Sequence, residues 1–147
     1  MTQTQADNAS SELDPLASLI ARGAEQKLEL LKQVGGGLSA SDVSRLLHIS
    51  RQAVDKRRRE GKLLAVSRGS DYVYPACQFD DDRTVVGLPE MLAARKVNHP
   101  WATLAFLVTP DDELGYSPLQ ALQRHDPKLK DHAIRLARVA AGGDGFG

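Results

Sequence analysis

Apolar side chains recur along this chain in short helical runs broken by polar or glycine-rich stretches. From Ser11 to Val34 the positions Leu13, Leu16, Ile20, Leu28, Leu31 and Val34 fall mostly at steps of three and four. That spacing predicts an amphipathic helix, with a weak middle at Arg22 to Ala24. The triplet Gly35-Gly36-Gly37 ends it. Its stripe has two possible partners, its own core or the same helix of a second copy. Residues 1–11 lack any periodic pattern and are expected to form a disordered leader.

Beyond the glycines, Val43, Leu46 and Leu47 give a buried stripe to a short helix, with Ser39 as its cap and Asp42 closing a capping box. His48-Ile49-Ser50 forms a three-residue turn. Ser50 caps a second helix whose inward positions are Ala53 and Val54. Past Gly61, the β-prone runs Leu63 to Val66 and Tyr72 to Tyr74 flank Ser67-Arg68-Gly69-Ser70-Asp71, so a hairpin is expected there. Leu63, Val66 and Tyr72 are expected to cover the helix pair. Asp80-Asp81-Asp82-Arg83 reads as a solvated linker, lacking the glycine and distal glutamate of a calcium loop.

From Thr84 the chain turns helical again. A helix starts at Leu88-Pro89 and runs to Ala94, and a second covers Pro100 to Leu107 and is apolar enough to be buried. Gly115 permits a tight turn before a short helix capped by Ser117, with Leu119 and Leu122 inward. The last helix, Pro127 to Ala141, aligns Leu129, His132 or Ala133, Leu136, Val139 and Ala140 on one side, and GGDGFG trails as a flexible end. The fold class is therefore mainly α: a winged helix-turn-helix with a small β-hairpin, plus a C-terminal bundle of short helices. The expected divisions are a leader (1–11), an N-terminal helix (12–37), a DNA-binding domain (38–79) and a helical domain with its tail (80–147).

Charge sharpens this picture. The net charge of zero is an average: residues 39–74 carry eight basic and four acidic groups, and the flanking segments are each acidic by two. Phosphate attraction follows the local patch rather than the total. With Val54 inward, helical geometry puts Arg51, Gln52, Asp55, Lys56 and Arg59 on the outer face. Arginine suits guanine, glutamine suits adenine and lysine suits phosphate, and Arg68 at the hairpin tip is placed to meet backbone phosphate. One short recognition helix reads few bases, so at least a dimer is expected.

Other chemistry is hard to assemble. The lone Cys77 forms neither an internal disulfide nor a multi-thiolate metal site, and is expected to be a small buried side chain. His48, His99, His125 and His132 are scattered without metal-site spacing, and there is no nucleophile elbow or nucleotide-binding glycine loop. No enzyme activity, cofactor or metal is expected. No apolar run reaches the roughly 20 residues of a membrane span, and the polar start lacks a signal pattern, so the cytoplasm is the expected compartment.

Two family resemblances follow from these residues. Ile49-Ser50-Arg51-Gln52, Val54, the basic stretch, Glu60-Gly61-Lys62-Leu63 and the glycine-tipped hairpin ending in Tyr74-Pro75 resemble the winged helix-turn-helix of excisionases and MerR-type regulators. Trp101 to Ala141 resembles the toxin-binding domain of Xre/MbcA/ParS antitoxins. The carrying residues are Leu107-Val108-Thr109-Pro110, then Asp111 to Leu122 and an alanine-rich last helix, with Tyr116 standing where that family commonly has a second glycine. This resemblance implies an antitoxin that neutralises a NAD-consuming toxin of the RES type and represses its own promoter, working as a homodimer or a larger assembly with the toxin. Toxin contacts are then expected from Arg135 and Arg138 on the last helix and from Asp144 and Phe146 in the tail. The alternative is a DNA-binding regulator with no toxin partner.

Overall fold

The computed structural model describes residues 15–97 and 99–143. In chain order these form α1 (Pro15–Gln33), β1 (Gly37–Leu38), α2 (Ala40–Leu47), α3 (Arg51–Arg59), β2 (Val66–Arg68) and β3 (Asp71–Pro75). A single 3-10 turn (Ala76–Gln78) leads to β4 (Phe79–Asp80) and β5 (Arg83–Thr84), then α4 (Leu88–Arg95), α5 (Pro100–Val108), α6 (Pro118–Gln123) and α7 (Pro127–Gly143). The architecture is mainly helical with small antiparallel sheets, as the hydrophobic pattern predicts.

Local signals account for most boundaries. Ser39 accepts from the Asp42 amide at 3.0 Å while the Asp42 carboxylate accepts from the Ser39 amide at 3.1 Å, closing the capping box of α2. Ser50 likewise accepts from the Ala53 amide at 3.0 Å and starts α3. Ser117 and Gln120 form a second capping box at α6. At the end of α1, Gly35 and Gly36 hold φ of 86° and 90°, and their amides return to the carbonyls of Lys32 and Leu31. This is a closure that a side chain would strain.

The strands depart from expectation in three ways. The hairpin pairs Val66 with Val73, Ser67 with Tyr72 and Arg68 with Asp71, so Leu63 to Ala65 is not strand but buried coil leading into β2. A third strand, β1, pairs Gly37 with Pro75 and Leu38 with Tyr74. The supposed linker is itself a hairpin, with Phe79 opposite Thr84 and Asp80 opposite Arg83, and Gln123 donates to the Asp80 carboxylate at 3.0 Å. Two-residue strands carry too little periodicity to be read from sequence.

Packing forms two clusters. The smaller joins Val43, Val54, Leu63, Ala65 and Tyr74 under the helix-turn-helix. The larger takes Leu31, Val34, Leu64 and Val66 together with Val85, Leu88, Met91, Leu92, Leu104, Leu107 and residues of α6 and α7. One core therefore crosses the expected boundary at residue 79. Leu63 and Val66 are buried as expected, but Tyr72 is half-exposed and Tyr74 takes its place in the small cluster. On α7 the buried positions are Ala133 and Ala137, whereas Val139 is 75% exposed, because a straight helix turns that position away from α4 and α6.

α1 resolves differently along its length. Leu31 and Val34 enter the large core, whereas Leu16, Leu19, Ile20 and Leu28 stand in solvent. Leu13, the leader and the tail residues Asp144 and Phe146 lie outside the described residues.

Candidate nucleic-acid interface

α3 is built from the inside outward. Val54 is wholly buried against Val43, and the turn before the helix is held by His48 in the left-handed region (φ 58°) and by the Ser44 hydroxyl donating to the Ile49 carbonyl. With Val54 anchored, Arg51, Gln52, Lys56 and Arg59 are exposed on the opposite side and Asp55 is half-buried among them. Among the described residues, Arg51, Lys56, Arg59 and Arg68 join no salt bridge. The nearby Asp42 and Glu60 pair instead with Arg45 at 2.6 Å and Lys62 at 3.4 Å. The outer face of α3 thus keeps Arg51, Lys56 and Arg59 outside any ion pair, with Asp55 the one acid among them.

The hairpin is fixed to α3 by a residue that the outer-face argument passes over. The Arg58 guanidinium stacks 4.2 Å from the Tyr72 ring centroid, joining α3 to β3. Burial pushes the Tyr74 hydroxyl above its ordinary pKa, against the pull of the nearby Arg58 charge. Gln78, fully buried, accepts from the Leu64 amide at 2.8 Å and donates to the carbonyls of Leu64 at 2.7 Å and Pro75 at 3.1 Å. It straps the coil between α3 and β2 to the end of β3. A third tie comes from the C-terminal half, where the Trp101 indole donates to the Ser67 carbonyl at 3.2 Å. These ties link residues far apart in sequence, and no local pattern announces them.

Five of the six candidate DNA-binding residues therefore share one helix face. Arg68 does not join them: strand alternation puts it on the opposite face of the hairpin from Tyr72, and it lines the groove between the hairpin and α1. Gly69 at the tip takes φ of 63° and makes the two-residue turn possible.

In the C-terminal half, Arg135 and Arg138 are exposed on α7. Arg95, by contrast, is buried, lies 5.0 Å from the Phe106 ring centroid and donates to the Ala140 carbonyl at 2.9 Å, tying α4, α5 and α7 together. The histidines remain apart: His132 lies 3.4 Å from the Glu113 carboxylate, and His125 ends α6 in the left-handed region. Among the described residues no cluster of three potential metal ligands occurs, and no helix is long and apolar enough to cross a membrane.

No family model and no curated protein matches the chain. Among solved structures, the NMR structure of Rv2175c is similar in fold, with a TM-score of 0.60 and 25% sequence identity over 71% of this chain and 80% of that one.

Proposed function

We propose that the protein is a DNA-binding transcription regulator that reads the major groove with α3 and touches flanking backbone with the wing. The carrying observation is the outer face of α3, where Arg51, Lys56 and Arg59 stand exposed without carboxylate partners on a helix held in place by Val54, Arg58 and Gln78. Unpaired cations on a rigid, protruding helix match the demand of a phosphate-lined groove, and Gln52 beside Arg51 supplies base-reading groups. This reading places the protein in the cytoplasm, with DNA as its partner and no catalytic role.

The test is duplex binding by fluorescence anisotropy across a salt series. Each phosphate contact contributes close to one unit to the slope of log affinity against log salt, so Lys56→Ala and Arg59→Ala combined should flatten it by about two units. Arg51→Ala alone should narrow the gap between a preferred and a scrambled sequence. A slope unchanged in the double variant would remove α3 from the interface.

A second reading adds a protein partner. This partner would meet the exposed Arg135 and Arg138 on α7 together with Val139, which the described residues leave 75% exposed. On the antitoxin resemblance the partner is a RES-type toxin, with Asp144 and Phe146 contributing from beyond the described helix. Co-expression with the neighbouring open reading frame tests it: a neighbour that is harmless alone, or that fails to co-purify, counts against this reading.

A further inference from the structure

α1 joins the large core only in its last turn, and from Pro15 to Glu29 every residue is exposed or half-buried. A free-standing helix of that length is marginal in water, because the cost of nucleation is not recovered without packing. Four of the seven large apolar side chains exposed among the described residues lie on it: Leu16, Leu19, Ile20 and Leu28. Beside this segment runs an open groove of about 550 Å³, with Ile20 and Leu28 on the α1 wall and Trp101 and Arg68 on the other, and Lys27 crossing 5.6 Å from the indole centroid. Gly23 and Ala24 sit midway along the α1 wall, and a side chain added at Gly23 would meet nothing within 4 Å.

We infer that this groove receives α1 of a second copy of the chain, each helix lying between the partner's α1 and the partner's wing. The same helix supplies one wall of the groove and the apolar surface that the described residues leave uncovered, so a single two-fold contact satisfies both copies and closes on itself. The small residues at the middle of the stripe let two helix backbones approach. Charge agrees: the groove lining holds Lys27 and Arg68 and no carboxylate, while α1 carries Glu25 and Glu29 on its exposed sides. A small molecule fits less well, since a ligand site needs several convergent polar groups and Lys27 is already engaged with Trp101. Because Trp101 also holds Ser67 beside Arg68, the contact would set the wing of each copy at the same time.

The experiment uses the full chain without DNA, so its result is independent of the DNA-binding reading. Sedimentation equilibrium over about 1 to 100 µM should show a monomer–dimer equilibrium, and Trp101 emission, the signal of the chain's single tryptophan, should shift to shorter wavelength with the same midpoint. Ile20→Asp and, separately, Leu28→Asp, both at solvent-facing positions, should raise the dissociation constant at least about tenfold while far-ultraviolet circular dichroism shows the core helices retained. A protein that stays monomeric throughout overturns the inference. So does a dimer indifferent to both substitutions, or a monomer whose Trp101 emission is already shifted and does not depend on concentration, which would mean that something other than a second copy fills the groove.

Discussion

Gln78 offers a quantitative test of how α3 is joined to the hairpin. Replacing it with methionine keeps the side-chain volume but removes its carboxamide, so the Leu64 amide, the Leu64 carbonyl and the Pro75 carbonyl lose their hydrogen bonds. Leu64 is 2% exposed, so its two backbone groups find little water in compensation. An orphaned buried polar group costs about 1–3 kcal/mol, which sets the loss at about 2–6 kcal/mol, and the better burial of an apolar side chain returns part of it. We expect Gln78→Met to lower the unfolding free energy by about 3 kcal/mol, a large share of the roughly 5–15 kcal/mol typical of a domain. Urea unfolding followed by circular dichroism measures it, and at a slope of about 1–3 kcal/mol per molar the midpoint should fall by at least about 1 M. Gln78→Ala should cost more, by the cavity it adds. A loss below about 1 kcal/mol for the methionine variant would mean that the Leu64 groups find other partners and that Gln78 is not the strap described above.

Two further outcomes follow from ionisation. Burial pushes the Cys77 thiol up to about 11 from 9.0, so its thiolate fraction at neutral pH should be lower by about a hundredfold than that of an ordinary cysteine. Modification by a thiol reagent in the native protein should be correspondingly slow; a rate equal to that of the urea-unfolded chain would refute it. The Ser39 amide, donating to the Asp42 carboxylate, holds its pKa below the usual 3.8. A folded pKa depressed below the unfolded one contributes stability above the unfolded value, and that stability is lost as pH falls through the folded value. Wild type should therefore lose more stability than Asp42→Asn between about pH 5 and about pH 3, and equal losses would argue against the capping contribution.

The helix-turn-helix was open to sequence reading because its determinants are local. A cap lies three residues from the amide it satisfies, as with Ser39 and Ser50, and Val54 sets the outward set Arg51, Gln52, Lys56 and Arg59 by helical geometry alone. The hairpin was legible in its turn but not in its register, since Leu63 to Ala65 is as β-prone as Val66 to Arg68 and only packing separates the two. Val139 was misplaced because a stripe drawn at steps of three and four widens over a long helix, and the partners α4 and α6 select which part of it is buried.

By itself, then, the sequence determined the helices, their caps, the basic face and the mainly α class, all consequences of interactions spanning a few residues. Tertiary structure decided what distance along the chain conceals. Arg58 stacks on Tyr72, Gln78 holds Leu64, Trp101 reaches Ser67, and Leu31 and Val34 share a core with α4 to α7 while the described residues leave Leu16, Leu19, Ile20 and Leu28 exposed. Each of these depends on which surfaces meet when the chain closes. The energy of such a contact belongs to a pair of residues in space, and neither member signals it from its own place in the sequence.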